Sequence, residues 1–188
     1  VLIPRPETEL LVETVIQAFK AHQQVNILEI GAGSGAIATA LAALLPTARV
    51  TAVDISAKAL EVAARNTRKH QVDARVRLLL GDLYAPFIKE SFDVIISNPP
   101  YIPTAEIAAL ETTVKNYEPH TALDGGPDGL DFYRRLAREL SVFAKIPPFY
   151  AVEVGRGQAT AVCELFHAAG YKKTRQIPDL AGIERVVT

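Results

Sequence analysis

Asn98-Pro99-Pro100-Tyr101 sets a side-chain amide, two prolines and a phenol in one tetrapeptide. Phe92–Ile96, just before it, is a short β-branched apolar run that reads as a buried strand. The prolines end that strand abruptly, because proline lacks an N–H and its ring restricts the residue before it. Asn98 and Tyr101 therefore sit on a stiff loop at the carboxyl edge of a strand, where ligands bind in an open α/β sheet. The chemistry on offer is the acceptance of N–H groups. The Asn98 side-chain oxygen and a proline backbone carbonyl can orient a substrate nitrogen and stabilise the positive charge it gains on attacking an electrophile. Tyr101 can pack on its plane. That is catalysis by positioning and electrostatics, with no strong base required. Asn and Pro are also ordinary turn residues, so the tetrapeptide alone is readable as a strand-ending turn.

A second set of residues points to a cofactor. Val25–Ile30 reads as a strand, Gly31-Ala32-Gly33-Ser34-Gly35 as a loop, and about Ala36–Leu45 as a helix. Glycines let the backbone turn tightly and approach a ligand, and a helix N-terminus carries partial positive charge. Arg49–Asp54 is the next strand. It ends in Asp54, about twenty residues beyond the glycines, where a carboxylate can accept from ribose hydroxyls. The alternatives are a tight strand-to-helix turn for the glycines and a helix cap beside Ser56 for Asp54. The order and spacing together favour a cofactor containing a nucleoside. Gly31-x-Gly33-x-x-Ala36 also fits a dinucleotide fingerprint, but no hydride-transfer constellation accompanies it. An S-adenosylmethionine enzyme needs little beyond positioning, since the sulfonium is an activated leaving group. Asp82, after the third strand (Arg75–Leu80), can accept from an adenine amine, with Leu83 over the ring; as a turn, Gly81-Asp82 is equally ordinary.

The elements that must hold these residues alternate. Helices are expected at Leu10–Phe19, Ala57–Gln71, Gly129–Lys145 and within Gly155–Ala169, with a short one at Ala105–Thr113. Further strands are expected at Phe92–Ser97, Phe149–Val154, Tyr171–Ile177 and Glu184–Thr188. Strand–helix alternation implies an α/β fold, a doubly wound and mostly parallel sheet of seven strands, with an antiparallel pair at the end. Pro6, Glu7 and Glu9 are good helix-start chemistry; Arg5 is not explained by it. Residues 102–127 form a long irregular stretch of the kind that serves as a binding loop, although turn chemistry also accounts for Glu118-Pro119 and Gly125-Gly126.

Composition narrows the classes. A 188-residue chain, 49% hydrophobic and 22% charged, can bury a full core as one domain. A net charge of -1 supplies no general drive toward nucleic acid. Cys163 is the single cysteine, so no internal disulfide forms; its apolar helical setting suits a reducing compartment, and a cytoplasmic protein is expected. The four histidines, His22, His70, His120 and His167, have no ligand spacing, so no metal is expected. No apolar run is long enough to span a bilayer, and no membrane role is expected. The chain contains no methionine and starts at Val1, so a fragment lacking its natural N-terminus is expected.

Several segments together resemble one family, the release factor glutamine methyltransferases (HemK/PrmC). They are Ile3–Glu9, Gly31–Gly35, Asn98–Ile102, Glu118-Pro119 with Ala122-Leu123, Gly125-Gly126 through Asp128-Gly129-Leu130, and Glu184-Arg185-Val186. The resemblance extends over essentially all of residues 1–188. It implies a Rossmann-like class I fold and methyl transfer from S-adenosyl-L-methionine to the side-chain amide of the glutamine in the Gly-Gly-Gln loop of a peptide chain release factor. By position, Gly31, Ala32, Gly33, Ser34, Gly35, Asp54, Asp82, Leu83 and Asn98 would hold the cofactor. Asn98, Pro99, Pro100 and Tyr101 would hold the glutamine, with Asn98, Pro99 and Tyr101 catalytic. The resemblance also implies an N-terminal helical substrate-binding domain that this chain lacks. Lys145-Ile146-Pro147-Pro148 departs from the Pro-Gly-Gly type of turn expected there. The Asn-Pro-Pro-Tyr motif is shared with adenine-N6 methyltransferases, which leaves RNA or DNA adenine as the alternative acceptor. The near-neutral charge argues against nucleic acid as the direct substrate.

Overall fold

The computed structural model describes residues 1, 3, 5–87, 90–143 and 145–188; Pro4 of the lead-in segment and Ala144 of the expected 129–145 helix fall outside them. Helix α1 is Glu7–Phe19, and strand β1 is Val25–Ile30. Helix α2 (Ala36–Leu44), β2 (Ala48–Asp54), α3 (Ala57–Lys69) and β3 (Val76–Leu80) complete the first half. The second half runs β4 (Val94–Ser97), α4 (Thr112–Tyr117), α5 (Asp131–Arg138), β5 (Phe149–Glu153), α6 (Ala159–Ala168), β6 (Gln176–Pro178) and β7 (Glu184–Val187).

The strands form one seven-stranded sheet in the order β3-β2-β1-β4-β5-β7-β6. All pairings from β3 to β5 are parallel, whereas β7 is antiparallel to both β5 and β6. The mixed sheet expected from the sequence is therefore present. Alternate residues along each strand feed opposite faces, as the two-residue period of a strand requires. Val25, Ile27, Val50, Ala52, Val94 and Ile96 pack under α1 and α2, with Leu11, Val15 and Leu41. Leu28, Ile30, Ile95, Tyr150 and Val152 face the other way, toward Tyr133 and Leu136 of α5 and Val162 and Phe166 of α6. Cys163 is buried in α6, as its apolar setting suggested.

Register does the positioning. Ile30 lies opposite Val53 on one side and Ser97 on the other, and Asp54 lies opposite Leu80. The residues that follow, Gly31, Gly81 and Asn98, emerge level with Asp54 along the carboxyl edge. The chain order reverses between β1 and β4, so that edge opens a crevice at the topological switch point. The Ser97 hydroxyl donates to the Ile30 carbonyl at 2.8 Å and ties the two central strand ends together.

Differences from the sequence reading are local. The stretch expected to be helical at 105–113 is a 3-10 segment, Thr104–Ala109, followed by α4. The helix expected at 129–145 is shorter: α5 stops at Arg138 and continues as a 3-10 turn, Glu139–Val142. Strand β6 spans three residues instead of seven.

Candidate active site

The glycine loop is held from both sides. Gly31, Gly33 and Gly35 have φ of 81°, 53° and 74°, the left-handed region that side chains disfavour. The Gly31 and Ala32 N–H groups both donate to the Val53 carbonyl. The Asp54 carboxylate accepts from Gly33 N at 2.8 Å and from Ser56 N at 2.8 Å. Asn66 on α3 donates to the Ser34 carbonyl at 2.8 Å. A Cβ on Gly35 would stand 2.8 Å from the Ala63 Cβ, so the third glycine is required for packing against α3. Asp54 thus organises the loop besides facing the crevice. The Ser56 hydroxyl caps α3 by accepting from Ala59 N, so the helix cap belongs to Ser56 rather than to Asp54.

Across the crevice, the Asn98 Nδ2 donates to the Thr8 Oγ1 at 3.1 Å. The Thr8 hydroxyl donates onward to the Glu153 Oε2 at 2.7 Å. The Tyr101 hydroxyl makes a long contact with the other Glu153 oxygen, 3.4 Å. Glu153 is 1% exposed. Burial, more than any neighbour, raises its carboxyl above the ordinary range. Burial likewise pushes the Tyr101 phenol up to about 12, with Glu153 adding to the effect.

The Asn-Pro-Pro-Tyr loop rests on the glycine-rich stretch 125–129. Ile102 N donates to the Leu123 carbonyl, and Gly125 N donates to the Ile102 carbonyl. A Cβ on Gly125 would lie 2.8 Å from the Tyr101 Cα, so backbone packs directly on backbone there. Gln158 bridges the same corner, donating to the Tyr101 carbonyl and accepting from Gly155 N. Arg5, unexplained by helix chemistry, pairs with Glu118 at 2.6 Å. That pair clips the start of α1 to the segment carrying Pro119.

One cavity of about 690 Å³ joins these parts. Gly31, Ala32, Gly33, Ser34, Asp54, Asp82, Leu83, Asn98, Pro99 and Pro100 all line it. Gly35 and Tyr101 do not; Gly35 packs behind the loop against α3, and Tyr101 turns toward Glu153. The Asp82 carboxylate is already paired with Arg135 of α5 at 2.8 Å. Leu83, buried, holds a φ of 45°, rare for a residue with a side chain.

Glu29 was missed by the sequence reading. It lines the cavity, is 1% exposed, and among the described residues neither carboxylate oxygen has a hydrogen-bond partner. Burial raises its carboxyl well above the usual range and the Asp54 charge adds to that; the Ala38 N–H, too far or too tilted for a hydrogen bond, offsets part of it. A lone acid inside an apolar strand, one residue from the glycine loop, was the available signal. Thr8 and Glu153 were also missed as site residues; nothing local in sequence links positions 145 residues apart.

Comparison with known proteins adds a lineage to this geometry. Residues 6–118 match the methyltransferase small domain. The chain belongs to that family. Among curated relatives, this methyltransferase-domain chain is 46% identical over 187 residues to the release factor glutamine methyltransferase of Caulobacter vibrioides, covering 100% of this chain and 65% of that protein. It is 45% identical to the same-named protein of Geobacter sulfurreducens, covering 100% of this chain and 64% of that one. The chain therefore spans about two thirds of the length of these relatives. Solved methyltransferase structures share the fold at low identity. The hMettl16 catalytic domain in complex with a MAT2A 3'UTR hairpin superposes with a TM-score of 0.74 at 16% identity, over 99% of this chain and 71% of that one. The ribosomal protein L11 methylase of Lactobacillus delbrueckii gives 0.68 at 15%, over 99% and 80%. Among the described residues, no helix is long and apolar enough to cross a membrane.

Proposed function

We propose that residues 1–188 are the catalytic domain of an S-adenosylmethionine-dependent protein-glutamine methyltransferase. It methylates the side-chain amide nitrogen of the Gly-Gly-Gln glutamine of a peptide chain release factor, in the cytoplasm. The helical substrate-binding domain implied by the family resemblance lies outside these residues in this proposal. One observation carries the reading: a single cavity is lined both by the Gly31–Ser34 loop with Asp54 and by Asn98-Pro99-Pro100. The relatives named as release factor glutamine methyltransferases support the choice of acceptor.

The cavity suits S-adenosylmethionine. Its volume, about 690 Å³, is in the range of small-molecule sites. Glu29 offers a buried carboxylate without a hydrogen-bond partner among the described residues, matched to an ammonium group. Gly31 and Gly33 have open space where a side chain would begin, leaving backbone accessible to a ligand. Asp54 and Asp82 would accept from ribose hydroxyls and the adenine amine, and Leu83 would cover the ring. When bound, the group supplies a methyl on a sulfonium, a leaving group needing no protonation.

The residues of the chain then act on the acceptor. Asn98 Oδ1 and the Pro99 carbonyl accept the two N–H groups of the glutamine amide. That orients the nitrogen and favours the positive charge it gains, which is stronger stabilisation in the transition state than in the ground state. Pro100 stiffens the loop, and Tyr101 buttresses it from beneath through Glu153 instead of packing on the amide plane. No side chain is needed as a base, because the methylated nitrogen sheds its proton to water.

The test is methyl transfer from labelled S-adenosylmethionine, with a release factor, RNA and DNA offered side by side. Label on the release factor, lost when its Gly-Gly-Gln glutamine is changed to alanine, is the expected result. Label on adenine alone would replace this function with adenine-N6 methylation.

A further inference from the structure

We infer that Thr8 and Glu153 are positioning residues for Asn98: a hydroxyl–carboxylate relay fixes which end of the Asn98 amide faces the acceptor. The inference rests on the proposed role of Asn98 in holding an N–H donor. An asparagine amide has two ends of nearly equal shape and opposite polarity. Only the oxygen end can take an N–H, so a flipped Asn98 would present a donor to a donor. Something must select the orientation.

The relay selects it by the direction of donation. An ionised carboxylate only accepts, so Glu153 forces the Thr8 hydroxyl to donate to it, at 2.7 Å. With its proton committed, the Thr8 oxygen can only accept, and its neighbour at 3.1 Å must be the Asn98 NH2. The amide plane then turns Oδ1 away from α1. The relay joins α1, the β4 loop and the end of β5, which explains why a threonine in the first turn of α1 is buried at 7% exposure. It also gives buried Glu153 a use.

A protonated Glu153 reverses the logic. It can donate to Thr8, freeing the Thr8 hydroxyl to donate to Asn98 and allowing the amide to flip. The groups bearing on Glu153 are Thr8 and Glu7 on α1, Tyr101 on the β4 loop and Arg185 on β7, while the Tyr133 hydroxyl of α5 donates to its backbone carbonyl. Burial raises the carboxyl, so orientation is lost as pH falls through a value above the ordinary carboxylate range.

Thr8→Val keeps the shape and removes the hydroxyl; Thr8→Ser restores it. With whichever acceptor the wild type methylates, release factor or adenine, Thr8→Val should lower the single-turnover rate at saturating acceptor by ~10–100-fold, the scale of a misplaced catalytic group. Cofactor affinity should stay within about twofold, and Thr8→Ser should recover most of the rate. The wild-type rate should fall at low pH, and Glu153→Gln should remove that limb. An acceptor-independent reading comes from the Asn98 side-chain amide resonances in NMR. They should be slow to exchange in the wild type and shift with the same low-pH transition. That transition should be absent in Glu153→Gln, and protection should be lost in Thr8→Val. Unchanged resonances and an unchanged rate in Thr8→Val would overturn the relay, whatever acceptor is used. Labelling of adenine alone would overturn the glutamine assignment and leave the relay standing.

Discussion

Asn98 combines an oxygen able to accept with an NH2 already tied to Thr8 at 3.1 Å. Aspartate matches its shape, but it cannot donate to Thr8 and would bring a second carboxylate near Glu153. Asn98→Asp and Asn98→Ala are both expected to lose methyl transfer by at least ~100-fold, the scale of removing a preorganised polar contact. Cofactor binding, followed by calorimetry, should largely survive; near wild-type single-turnover rates would remove this loop from catalysis. Asp54 carries a double load, since its carboxylate holds Gly33 N and Ser56 N as well as facing the cavity. Asp54→Ala should weaken S-adenosylmethionine binding by about 1–3 kcal/mol and also lower the melting temperature, because two loop N–H groups lose their acceptor. A variant that loses affinity without any loss of stability would show that the loop holds without Asp54.

Glycines at 35, 125 and 129 and the Arg5–Glu118 pair act between elements. Gly35→Ala would drive a methyl to 2.8 Å from the Ala63 Cβ while keeping a φ of 74°. The expected cost is about 1–3 kcal/mol by urea denaturation, from overpacking and backbone strain together. Gly31→Ala has open space and should cost less stability, so the pair separates packing from ligand approach. Arg5 joins α1 to the long loop before α5, and its partner Glu118 is 3% exposed at the side chain. Arg5→Ala would leave that carboxylate without its cation. Proteolysis within residues 102–127 should then become faster, with cofactor affinity unchanged; equal digestion rates would mean the clip does not hold the loop.

Among the described residues, two buried acids shape the pH response of the whole molecule. Glu29 and Glu153 both have carboxyls raised by burial. The folded chain therefore keeps protons that the unfolded chain, with carboxylates near ~4.3, has released. Their contribution to stability is greatest below that unfolded value and is lost as pH rises through the raised folded values. Asp124, Asp128 and Asp179 are lowered by hydrogen bonds and ion pairs, so they titrate below this window. Unfolding free energy should accordingly fall as pH rises above the ordinary carboxylate range, by roughly 1.4 kcal/mol per pKa unit of upward shift. Glu29→Gln should flatten that slope and stabilise the chain at the alkaline end of it, while weakening cofactor binding. A steeper slope in the variant would place the titration elsewhere.

Short-range physics makes much of this legible in the sequence by itself. Apolar alternation marks the strands, clustered glycines mark the turn after β1, and paired prolines mark the end of β4. The parallel order then obliges Gly31, Asp54, Asp82 and Asn98 to share one edge, and all four line one cavity. Contacts between distant segments leave no such trace. The pairing of Arg5 with Glu118 spans 113 residues, and that of Thr8 with Glu153 spans 145. Periodicity reports which face of an element is buried, but not which polar group waits on the facing element. The Tyr101 hydroxyl, whose ring is expected from sequence to pack on the substrate amide, contacts Glu153 at 3.4 Å, and its backbone lies against Gly125. Gln158, just before α6, meets both the Tyr101 and Gly129 carbonyls, a contact between segments far apart in the chain that only tertiary packing decides.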